Sequence, residues 1–316
     1  MKCPAVYIIT LNWNGLDDTL DCLETVGGLT YPNVKVIVVD NDSGGDQAGV
    51  IERKFPDTLV LRQKENLGFC GGCNVGIRYA LEKEADYVML LNNDALVPPN
   101  LIEKLLCEIG SLGSVGAVSP LIRGYPDTDS VWFADAHWDR GTASFISRKK
   151  NESVDDLAKT SPYPTDFACG CCMLVPSQVF ARFGLLDERY FAFFDEAEWC
   201  ERIRRHGLES YMAPAAFIYH KGSGSSCGMI STYLITRNRL LWMKEYLRFT
   251  ERLRSLPYLA KELVWHIANL AGLSGGKHYS KQHSRVVLKG YGDYFRKKFY
   301  KWDAAAEKLI FDGSER

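Results

Sequence analysis

The chain has 316 residues, of which 46% are hydrophobic and 24% are charged. This composition excludes a disordered chain, and the length is enough for one large α/β domain with an appendage or for two modest domains. The formal net charge of −1 excludes a global field that would recruit nucleic acid or an anionic membrane, although basic residues cluster late in the chain.

The first 120 residues alternate between apolar runs and segments with helical spacing. Continuous apolar or β-branched runs predict four strands, at 5–11, 34–40, 58–63 and 86–94. Helical spacing predicts three helices between them, at 16–26, 46–55 and 73–83. A fourth helix begins at Pro98 and Pro99, since proline is harmless in a first helical turn. Strands that are apolar on both faces and alternate with helices predict a parallel sheet covered on each side.

The pattern becomes irregular between 121 and 165, where aromatic, Asp and Gly residues alternate with a polar stretch. Regular structure resumes with a strand at 167–176 and helices at 177–184 and 195–207, the last ending at a glycine. The remainder is helical and rich in Tyr, Trp and Arg. We therefore divide the chain into an α/β domain, 1–230, and a C-terminal helical region, 231–316.

No stretch reaches the roughly 18 apolar residues that a membrane-spanning helix needs. The segments 233–249 and 256–273 carry charges at intervals and are typical of amphipathic helices, which predicts contact with a membrane surface without crossing it. The N-terminus resembles a short strand and not a secretory leader. We expect a cytoplasmic protein, peripheral on the inner face of the membrane, that binds no nucleic acid; a homo-oligomer is left open.

Ten cysteines include the closely spaced groups CGGC at 70–73 and CGCC at 169–172. A zinc site would need thiolates that converge from two separated pairs, and the histidines lack finger spacing. Small, buried and reduced thiols are the preferred interpretation.

Polar side chains recur where the predicted strands end, which is where ligands bind in a doubly wound sheet. Strand 1 ends near Thr10 and Asn12, and strand 2 ends in the residues Asp40 to Ser43. Strand 3 leads to the glycine-rich segment 68–76. Strand 4 ends in Asn92, Asn93 and Asp94. Each group alone has a turn or cap explanation, because Asn, Asp and Gly are turn formers. Their recurrence at one edge favours a ligand site.

Two acidic positions at this edge allow specific alternatives. Asp40 is either a turn residue or an acceptor for a ribose or a base N–H. Asp94 is either a helix cap or a ligand of a hard divalent cation, which takes one or two protein carboxylates and bridges phosphates.

Two later segments add titratable groups. Asp195, Glu196 and Glu198 begin a helix, where the helix dipole favours acidic side chains. Alternatively, the aromatic run before them encloses a carboxylate in an apolar cleft, where it can act as a general base. His220 ends a strand before a Gly/Ser loop and is either structural or a metal ligand. Trp132 and Trp138 either stack on a sugar or pack in the core.

Six segments in this order resemble family 2 glycosyltransferases, and within them the rhamnosyltransferase-like branch. They are IITLNWNG, VVDNDSGGD, ENLGFCGGCNVGI, LLNNDALVPP, FFDEAEWCERIRRHG and IYHKGSGSS…YLITRNRLLWMKEY, within about residues 4 to 245. The resemblance implies a GT-A fold, which is a Rossmann-like, mostly parallel sheet flanked by helices, here with a C-terminal helical extension. It also implies an inverting, metal-dependent transfer of a sugar from a UDP- or dTDP-sugar to a hydroxyl of a glycan or lipid-linked acceptor.

The resemblance assigns roles to matching positions. Asp195 and Glu196 occupy the place of the catalytic acidic pair, and Asp94 with His220 would hold Mn²⁺ or Mg²⁺. The nucleotide-binding positions are Thr10, Asn12, Asp40, Asp42, Asn66, Gly68, Asn74 and Asn93. One base and one face of attack on the anomeric carbon give inversion, while the cation and basic side chains neutralise the leaving diphosphate.

The sequence departs from the family pattern at two places. Asn92 replaces the first acid of the DxD motif, so metal binding rests on Asp94, His220 and the diphosphate. The usual Glu-Asp order is reversed at Asp195-Glu196; both are candidate bases, with Asp195 preferred because its shorter arm follows the aromatic run. The absence of a Gln-x-x-Arg-Trp motif argues for one or few sugars per encounter.

Two other functions are compatible with such a sheet. A sugar-nucleotide nucleotidyltransferase normally needs basic residues in the loop after strand 1, and LNWNGLDD has none. A non-catalytic sugar-nucleotide-binding protein is the second alternative.

Overall fold

A mixed β-sheet with helices on both faces forms the centre of the molecule. The computed structural model describes residues 3–222, 228–273 and 279–311. The strands are β1 Val6–Asn12, β2 Val34–Asp40, β3 Leu59–Arg62, β4 Tyr87–Leu91, β5 Ala95–Leu96, β6 Val115–Gly124, β7 Val131–Phe133, β8 His137–Asp139, β9 Ser144–Ile146, β10 Tyr163–Thr165, β11 Cys172–Pro176 and β12 Glu209–His220. The helices are α1 Leu16–Gly27, α2 Gln47–Lys54, α3 Gly68–Glu82, α4 Leu101–Gly110, α5 Val154–Leu157, α6 Ser177–Phe183, α7 Asp195–Arg204, α8 Met229–Tyr246, α9 Phe249–Leu270, α10 Lys281–Phe295 and α11 Ala304–Phe311.

The strand order places the functional ends of distant segments together. The main path of the sheet runs β10-β12-β6-β11-β4-β1-β2-β3. Strands β3, β2, β1 and β4 are parallel, β11 is antiparallel to both β4 and β6, and β6 is parallel to β12. Strands β4, β6 and β12 therefore point the same way, so His220 at the end of β12 lies at the same sheet edge as the residues after β4.

The fold confirms the predicted GT-A architecture and corrects three local predictions. The segment 121–165 is not wholly irregular, because β6 extends to Gly124 and β7 to β10 follow. The strand predicted at 167–176 begins only at Cys172, and the sheet is mixed because β11 runs antiparallel. Helix α7 ends at Arg204, and Gly207, with a φ of 82°, ends the turn after it.

Helix α3 begins at Gly68, five residues before the predicted start, because its glycines allow close packing. An ideal Cβ on Gly72 would lie 2.4 Å from Leu11 Cδ1, and one on Gly76 would lie 2.6 Å from Ile9 Cγ2. Any side chain at these positions would push the helix off β1. The glycine-rich segment is therefore a helix–sheet contact over most of its length, and not the loop that its composition predicts.

Helix α8 is not amphipathic, which corrects the prediction for 233–249. Its buried residues run through the middle of the helix from Tyr233 to Met243 and include Arg237, Asn238 and Arg239. Trp242 belongs to the same hydrophobic cluster as Ile9 and Trp199, so the helical region packs directly on the sheet domain. Helix α9 does show one apolar exposed face, and no helix in the described ranges is long and apolar enough to span a membrane.

The cysteines in the described ranges form no disulfide. Seven of them are buried, whereas Cys3 and Cys107 are exposed. Burial raises the pKa of the Cys22 thiol to about 12, which keeps that side chain protonated at neutral pH. The prediction of reduced, mostly buried thiols agrees with these positions.

Candidate active site

The ends of β1 and β2 form a hydrogen-bonded pair around Asp40. Asn12 and Asp40 are register partners, and Asn12 Nδ2 donates to Asp40 Oδ1 at 2.9 Å. The same amide donates to Ser43 Oγ at 3.0 Å, and its oxygen accepts from Thr19 Oγ1 at 2.9 Å. Asn12 therefore orients Asp40. The other Asp40 oxygen accepts only from Ser43 N–H at 3.4 Å, which leaves acceptor capacity for a ligand.

The predicted nucleotide positions around this pair have different environments. Thr10 lies two residues before Asn12 on the same strand face, and its buried hydroxyl has no hydrogen-bond partner among the described residues. Asp42 is exposed and has a φ of 67°, in the left-handed region that Asp tolerates better than most residues.

Asn41, which the sequence did not single out as a site residue, joins β2 to the start of α3. Its Nδ2 donates to Asn66 Oδ1 at 3.0 Å and to the Gly68 carbonyl at 3.1 Å, while its oxygen accepts from Leu67 N–H at 3.0 Å. Asn66 Oδ1 also accepts from Gly68 N–H at 2.8 Å. Buried amides of Asn41 and Asn66 therefore set the backbone at this edge, as turn-forming Asn side chains do.

Gly68 and Asn74 connect α3 to the segment before α7. Gly68 has a φ of 74°, and a Cβ there would lie 2.5 Å from the Phe191 carbonyl oxygen. Asn74 Nδ2 donates to the Leu186 carbonyl and to Glu188 Oε1, both at 2.9 Å, and Asn74 Oδ1 accepts from Leu186 N–H at 3.0 Å. Because all of these groups are used within the protein, the structure does not support a nucleotide contact for Asn74.

Asp94 and His220 form the candidate metal site, and we call these two residues the metal pair. His220 Nε2 lies 3.1 Å from Asp94 Oδ1, and both side chains are buried. Strand β5 pairs with β12 so that Ala95 faces His220, and Lys221 N–H donates to the Asp94 carbonyl at 3.0 Å. This pairing brings together two residues that are far apart in sequence.

The donor set of this pair suits a hard or borderline divalent cation. Asp94 offers a carboxylate, and His220 offers Nε2, the ring nitrogen that lies 3.1 Å from that carboxylate. Within those residues, no group of three or more His, Cys, Asp or Glu side chains converges on a metal position. A cation held by two protein ligands leaves coordination positions for water and phosphate oxygens, as Mg²⁺ sites at nucleotides do.

Asn93 and Trp132 border the metal pair. Asn93 Nδ2 donates to Thr19 Oγ1 at 2.9 Å, so this amide shares the network that holds Asn12 and Asp40. The Trp132 ring is 4.2 Å from the His220 ring between centroids, and 41% of the residue is exposed. Trp138 instead packs on Trp242 at 4.6 Å, which supports the core interpretation for Trp138.

Asp195 and Glu196 begin α7 in two different environments. Asp195 is 1% exposed, whereas Glu196 is half-buried. Burial and the neighbouring charge of Glu196 raise the pKa of Asp195 well above its ordinary value. Burial also raises the pKa of Glu196, but hydrogen bonds from its own backbone, Asp195 and Gly170 oppose that rise. The rise in pKa is therefore larger for Asp195, and Glu196 is the more readily ionised carboxyl of the two.

The loop 169–171 lies between the metal pair and the acidic pair. The Cys171 carbonyl accepts from Asn92 N–H at 2.9 Å. An ideal Cβ on Gly170 would lie 3.7 Å from Glu196 Oε1. Because consecutive Cα atoms are about 3.8 Å apart, this short loop keeps the end of β4 and Glu196 near each other.

A buried clamp on α8, formed by Arg237 and Asn238, holds the segment before α7. Asn238 Nδ2 lies 2.8 Å from each of the carbonyl oxygens of Tyr190, Ala192 and Phe193. Arg237 is fully buried; its Nη2 donates to the Tyr190 carbonyl at 3.1 Å, and its Nε donates to Asn238 Oδ1 at 3.0 Å.

The clamped segment has an unusual backbone. Phe191, Phe193 and Phe194 have φ values of 65° to 67°, which bulky residues rarely adopt without support from their surroundings. Sequence reasoning identified Arg237 and Asn238 only as part of a family-like segment, because a buried polar pair on a helix has no periodic signal.

Comparisons with known proteins find one matching family and several relatives of similar sequence. The family described as Glycosyl transferase family 2 matches residues 6–184. The dTDP-rhamnosyl transferase RfbF of Shigella flexneri is 23% identical over 90% of this chain and 95% of its own length. The N-acetylglucosaminyl-diphospho-decaprenol L-rhamnosyltransferase of Mycobacterium tuberculosis is 26% identical over 69% of this chain and 80% of its own length.

A solved structure shows the same fold. The mannosyltransferase PcManGT from Pyrobaculum calidifontis, in complex with GDP-Man and Mn²⁺, superposes with a TM-score of 0.56. The superposition covers 94% of this chain and 89% of that chain, at 15% sequence identity.

Proposed function

Because the chain belongs to glycosyltransferase family 2, whose members transfer sugars from nucleotide sugars, we propose that it is an inverting, divalent-metal-dependent enzyme of the rhamnosyltransferase type. The donor is a nucleoside diphosphate sugar, with dTDP and UDP as the nucleotides to test first. The acceptor is a hydroxyl of a glycan or of a lipid-linked saccharide.

The observation that carries the proposal is the short loop 169–171, which lies next to both functional pairs. The loop 169–171 contacts the strand end that leads to Asp94 and also approaches Glu196. A transferase needs its leaving-group site and its base on opposite sides of one reacting carbon, within reach of both. The mannosyltransferase of the same fold is described with Mn²⁺ and a nucleotide sugar, which supports the same arrangement here.

The nucleotide pocket in this proposal is formed by the ends of β1 and β2. Asp40 accepts hydrogen bonds from the base or ribose, and Asn12 orients Asp40. Thr10, Asp42, Asn66 and Asn93 border this pocket, and Gly68 sets its backbone against Phe191. We leave Asn74 out, because its amide is fully used by Leu186 and Glu188.

Asp94 and His220 would hold the cation next to the diphosphate. When bound, a divalent cation supplies positive charge that stabilises the leaving diphosphate. The buried position of both side chains keeps bulk water away from this charge and strengthens its interactions.

Glu196 is the residue that we assign as the base, in place of the initial preference for Asp195. Glu196 accepts the proton of the acceptor hydroxyl as the hydroxyl oxygen attacks the anomeric carbon and the bond to the diphosphate breaks. Asp195 keeps its proton and donates a hydrogen bond to Glu196, which positions the carboxylate. A single displacement of this kind inverts the anomeric centre and needs no covalent enzyme intermediate.

A ligand-stabilisation screen tests the proposal. The thermal midpoint of the protein is measured with dTDP-, UDP- and GDP-sugars, each with and without Mn²⁺. One nucleotide class should stabilise the protein only when Mn²⁺ is present, by about 2.7 kcal/mol at a hundredfold excess over Kd. Stabilisation by none of these sugars, or by one of them equally without metal, contradicts the metal-dependent donor site.

A further inference from the structure

Helix α9 carries a row of exposed apolar side chains along its whole length. Exposed fractions are 71% for Phe249, 65% for Val264 and 53% for Ile267, and Leu273 just after the helix is 80% exposed. Leu253 and Leu256 are also exposed. Scattered exposed apolar residues need no explanation, but a continuous row of this length does.

The row forms one stripe that faces away from the protein. With about 3.6 residues per turn, positions 249, 253, 256, 260, 264, 267 and 271 fall within an arc of roughly 100°. The buried residues Ser255, Leu259, His266 and Asn269 lie on the opposite side of the helix and pack on the molecule. We call this stripe the outer face of α9.

The charges around the outer face are of one sign. Arg254 and Lys261 are exposed along one flank of the stripe, seven residues apart and therefore two turns along the helix. The two acidic residues of α9 form ion pairs with arginines outside the helix. Glu251 accepts a hydrogen bond from Arg140 at 2.5 Å, and Glu262 is paired with Arg239.

The same asymmetry holds for the described part of the helical region. Its exposed basic residues are Lys244, Arg248, Arg254, Lys261, Lys281, Arg285, Arg296, Lys297, Lys298, Lys301 and Lys308. Among the same residues, Glu307 is the exposed acid. Because the whole chain has a net charge of −1, this positive charge is segregated to the helical region.

We propose that the outer face of α9 binds to an anionic membrane surface, with the apolar stripe in the headgroup boundary and Arg254 and Lys261 at the lipid phosphates. An apolar helical face bordered by Arg and Lys is the chemistry that such surfaces recognise. The helix lies in the interface and does not cross it, since no described helix meets the requirements of a span.

A second copy of the chain is the less favoured occupant. A two-fold interface brings the same patch of both subunits together, so its charges must be self-complementary. The outer face carries exposed basic residues and no exposed acid on α9, and two such faces would place like charges side by side. The membrane proposal does not depend on the identity of the sugar donor.

Co-sedimentation of the full-length protein with vesicles tests the proposal. Vesicles of equimolar phosphatidylcholine and phosphatidylglycerol should pellet the wild-type protein, and vesicles of phosphatidylcholine alone should pellet much less of it. The double variant V264E/I267E, in the centre of the stripe, should reduce partitioning by about tenfold or more, because two buried apolar contacts are replaced by charges that the surface repels.

Matched variants separate the contributions. R254E/K261E should reduce binding to the anionic vesicles and leave the weak binding to neutral vesicles unchanged. I146E changes an exposed apolar residue of β9 and should bind like the wild type. Circular dichroism confirms that each variant is folded, which is expected because all of these side chains are exposed.

Three results would overturn the proposal. The first is a wild-type protein that does not pellet with anionic vesicles. The second is a V264E/I267E variant that pellets as well as the wild type. The third is a wild-type protein that light scattering shows to be a dimer and that V264E/I267E converts to a monomer. This result would assign the outer face to self-association.

Discussion

Asp195 and Glu196 are adjacent in the sequence, and the fold raises the pKa of Asp195 more strongly than that of Glu196. Asp195 is enclosed at the start of α7, and one of its oxygens, Oδ2, is buried with no hydrogen-bond partner among the described residues. Glu196 is half-buried and faces the loop that leads to the metal pair. A base must be ionised and must reach the acceptor, so burial favours Glu196 for this role.

Substitution of the two acids should separate their roles. We expect Glu196→Gln to lower kcat by about 10²- to 10⁴-fold, because it removes the base while keeping the size of the side chain. Asp195→Asn should lower kcat less, because an amide still donates a hydrogen bond to Glu196. Donor affinity, measured by calorimetry, should stay unchanged in both variants. Glu201→Gln, on the same helix, is the control and should retain wild-type kcat.

The raised pKa of Asp195 also predicts a pH dependence of stability. Above the ordinary pKa of 3.8, an unfolded Asp195 releases its proton, whereas the folded protein keeps it. Folding then takes up a proton, so this group destabilises the folded state as pH rises, by up to about 1.4 kcal/mol per pH unit until the raised pKa is reached. Asp195→Asn removes this effect. The melting temperature of the variant should therefore rise relative to that of the wild type as pH increases.

The matched control for this titration is Asp57→Asn, which changes an exposed carboxylate. Its melting temperature should follow that of the wild type at every pH. A constant difference between Asp195→Asn and the wild type across the titration would show that Asp195 is ionised in the folded protein.

At the scale of elements, helix α8 fixes the segment that precedes the proposed catalytic acids. Three phenylalanines in left-handed conformations precede Asp195, and the amide of Asn238 holds three carbonyls of this segment. A strained backbone persists only where its surroundings determine it. The clamp of Arg237 and Asn238 is therefore a positioning device for Glu196, although neither residue touches a reacting atom.

Asn238→Ala tests this positioning role. It should destabilise the protein by about 2–4 kcal/mol, because buried carbonyls lose their donor. It should also lower kcat by about 10- to 100-fold through misplacement of Glu196, with the affinity for the donor unchanged. Denaturant unfolding and steady-state kinetics measure the two effects.

Leu241→Ala is the control for loss of stability alone. Leu241 is a buried core residue of the same helix, and its truncation should cost about 2–5 kcal/mol. If Leu241→Ala lowers kcat as much as Asn238→Ala does, the effect of Asn238 is general destabilisation and not positioning.

Elements were predictable from sequence where burial makes one pattern dominant. β1, β2 and β4 were found to within a few residues because most of their side chains are buried and their sequences are largely apolar. β3 was found from its short apolar run, although its residues are only half-buried or exposed. The start of α3 was missed because Gly71, Gly72 and Gly76 have poor helix propensity, and only their packing against β1 explains them. Helix α8 was misjudged because its buried arginines look like an exposed polar face.

At the scale of the whole molecule, the site joins residues that are distant in sequence. The sequence indicated Asp40 and Asp94 as strand-end residues, because parallel strands share one carboxyl edge. The approach of His220 to Asp94 depends on the pairing of β5 with β12, which only the tertiary structure shows. The contacts of Asn74 with Leu186 and Glu188 were not predicted, because a single sequence gives no sign of which distant backbone an amide binds.

Substitution of the proposed metal ligands should weaken the response to Mn²⁺. We expect Asp94→Asn and His220→Gln to raise the Mn²⁺ concentration for half-maximal activity by at least about tenfold, because we propose these two adjacent side chains as the protein ligands of the cation. Activity measured across a Mn²⁺ titration, with Asp57→Asn as the control, checks this. An unchanged Mn²⁺ dependence of both variants would exclude this pair as the metal site.

The most direct test of the proposed transfer is the release of nucleoside diphosphate from its donor. The full-length protein is incubated with dTDP-rhamnose or the donor found in the stabilisation screen, an acceptor saccharide and Mn²⁺, and nucleoside diphosphate is quantified by chromatography. We predict release that requires both Mn²⁺ and acceptor, with a product of inverted anomeric configuration, and a loss of at least about 10²-fold in Glu196→Gln. Release at the wild-type rate in both Glu196→Gln and Asp195→Asn would contradict the assignment of the active site.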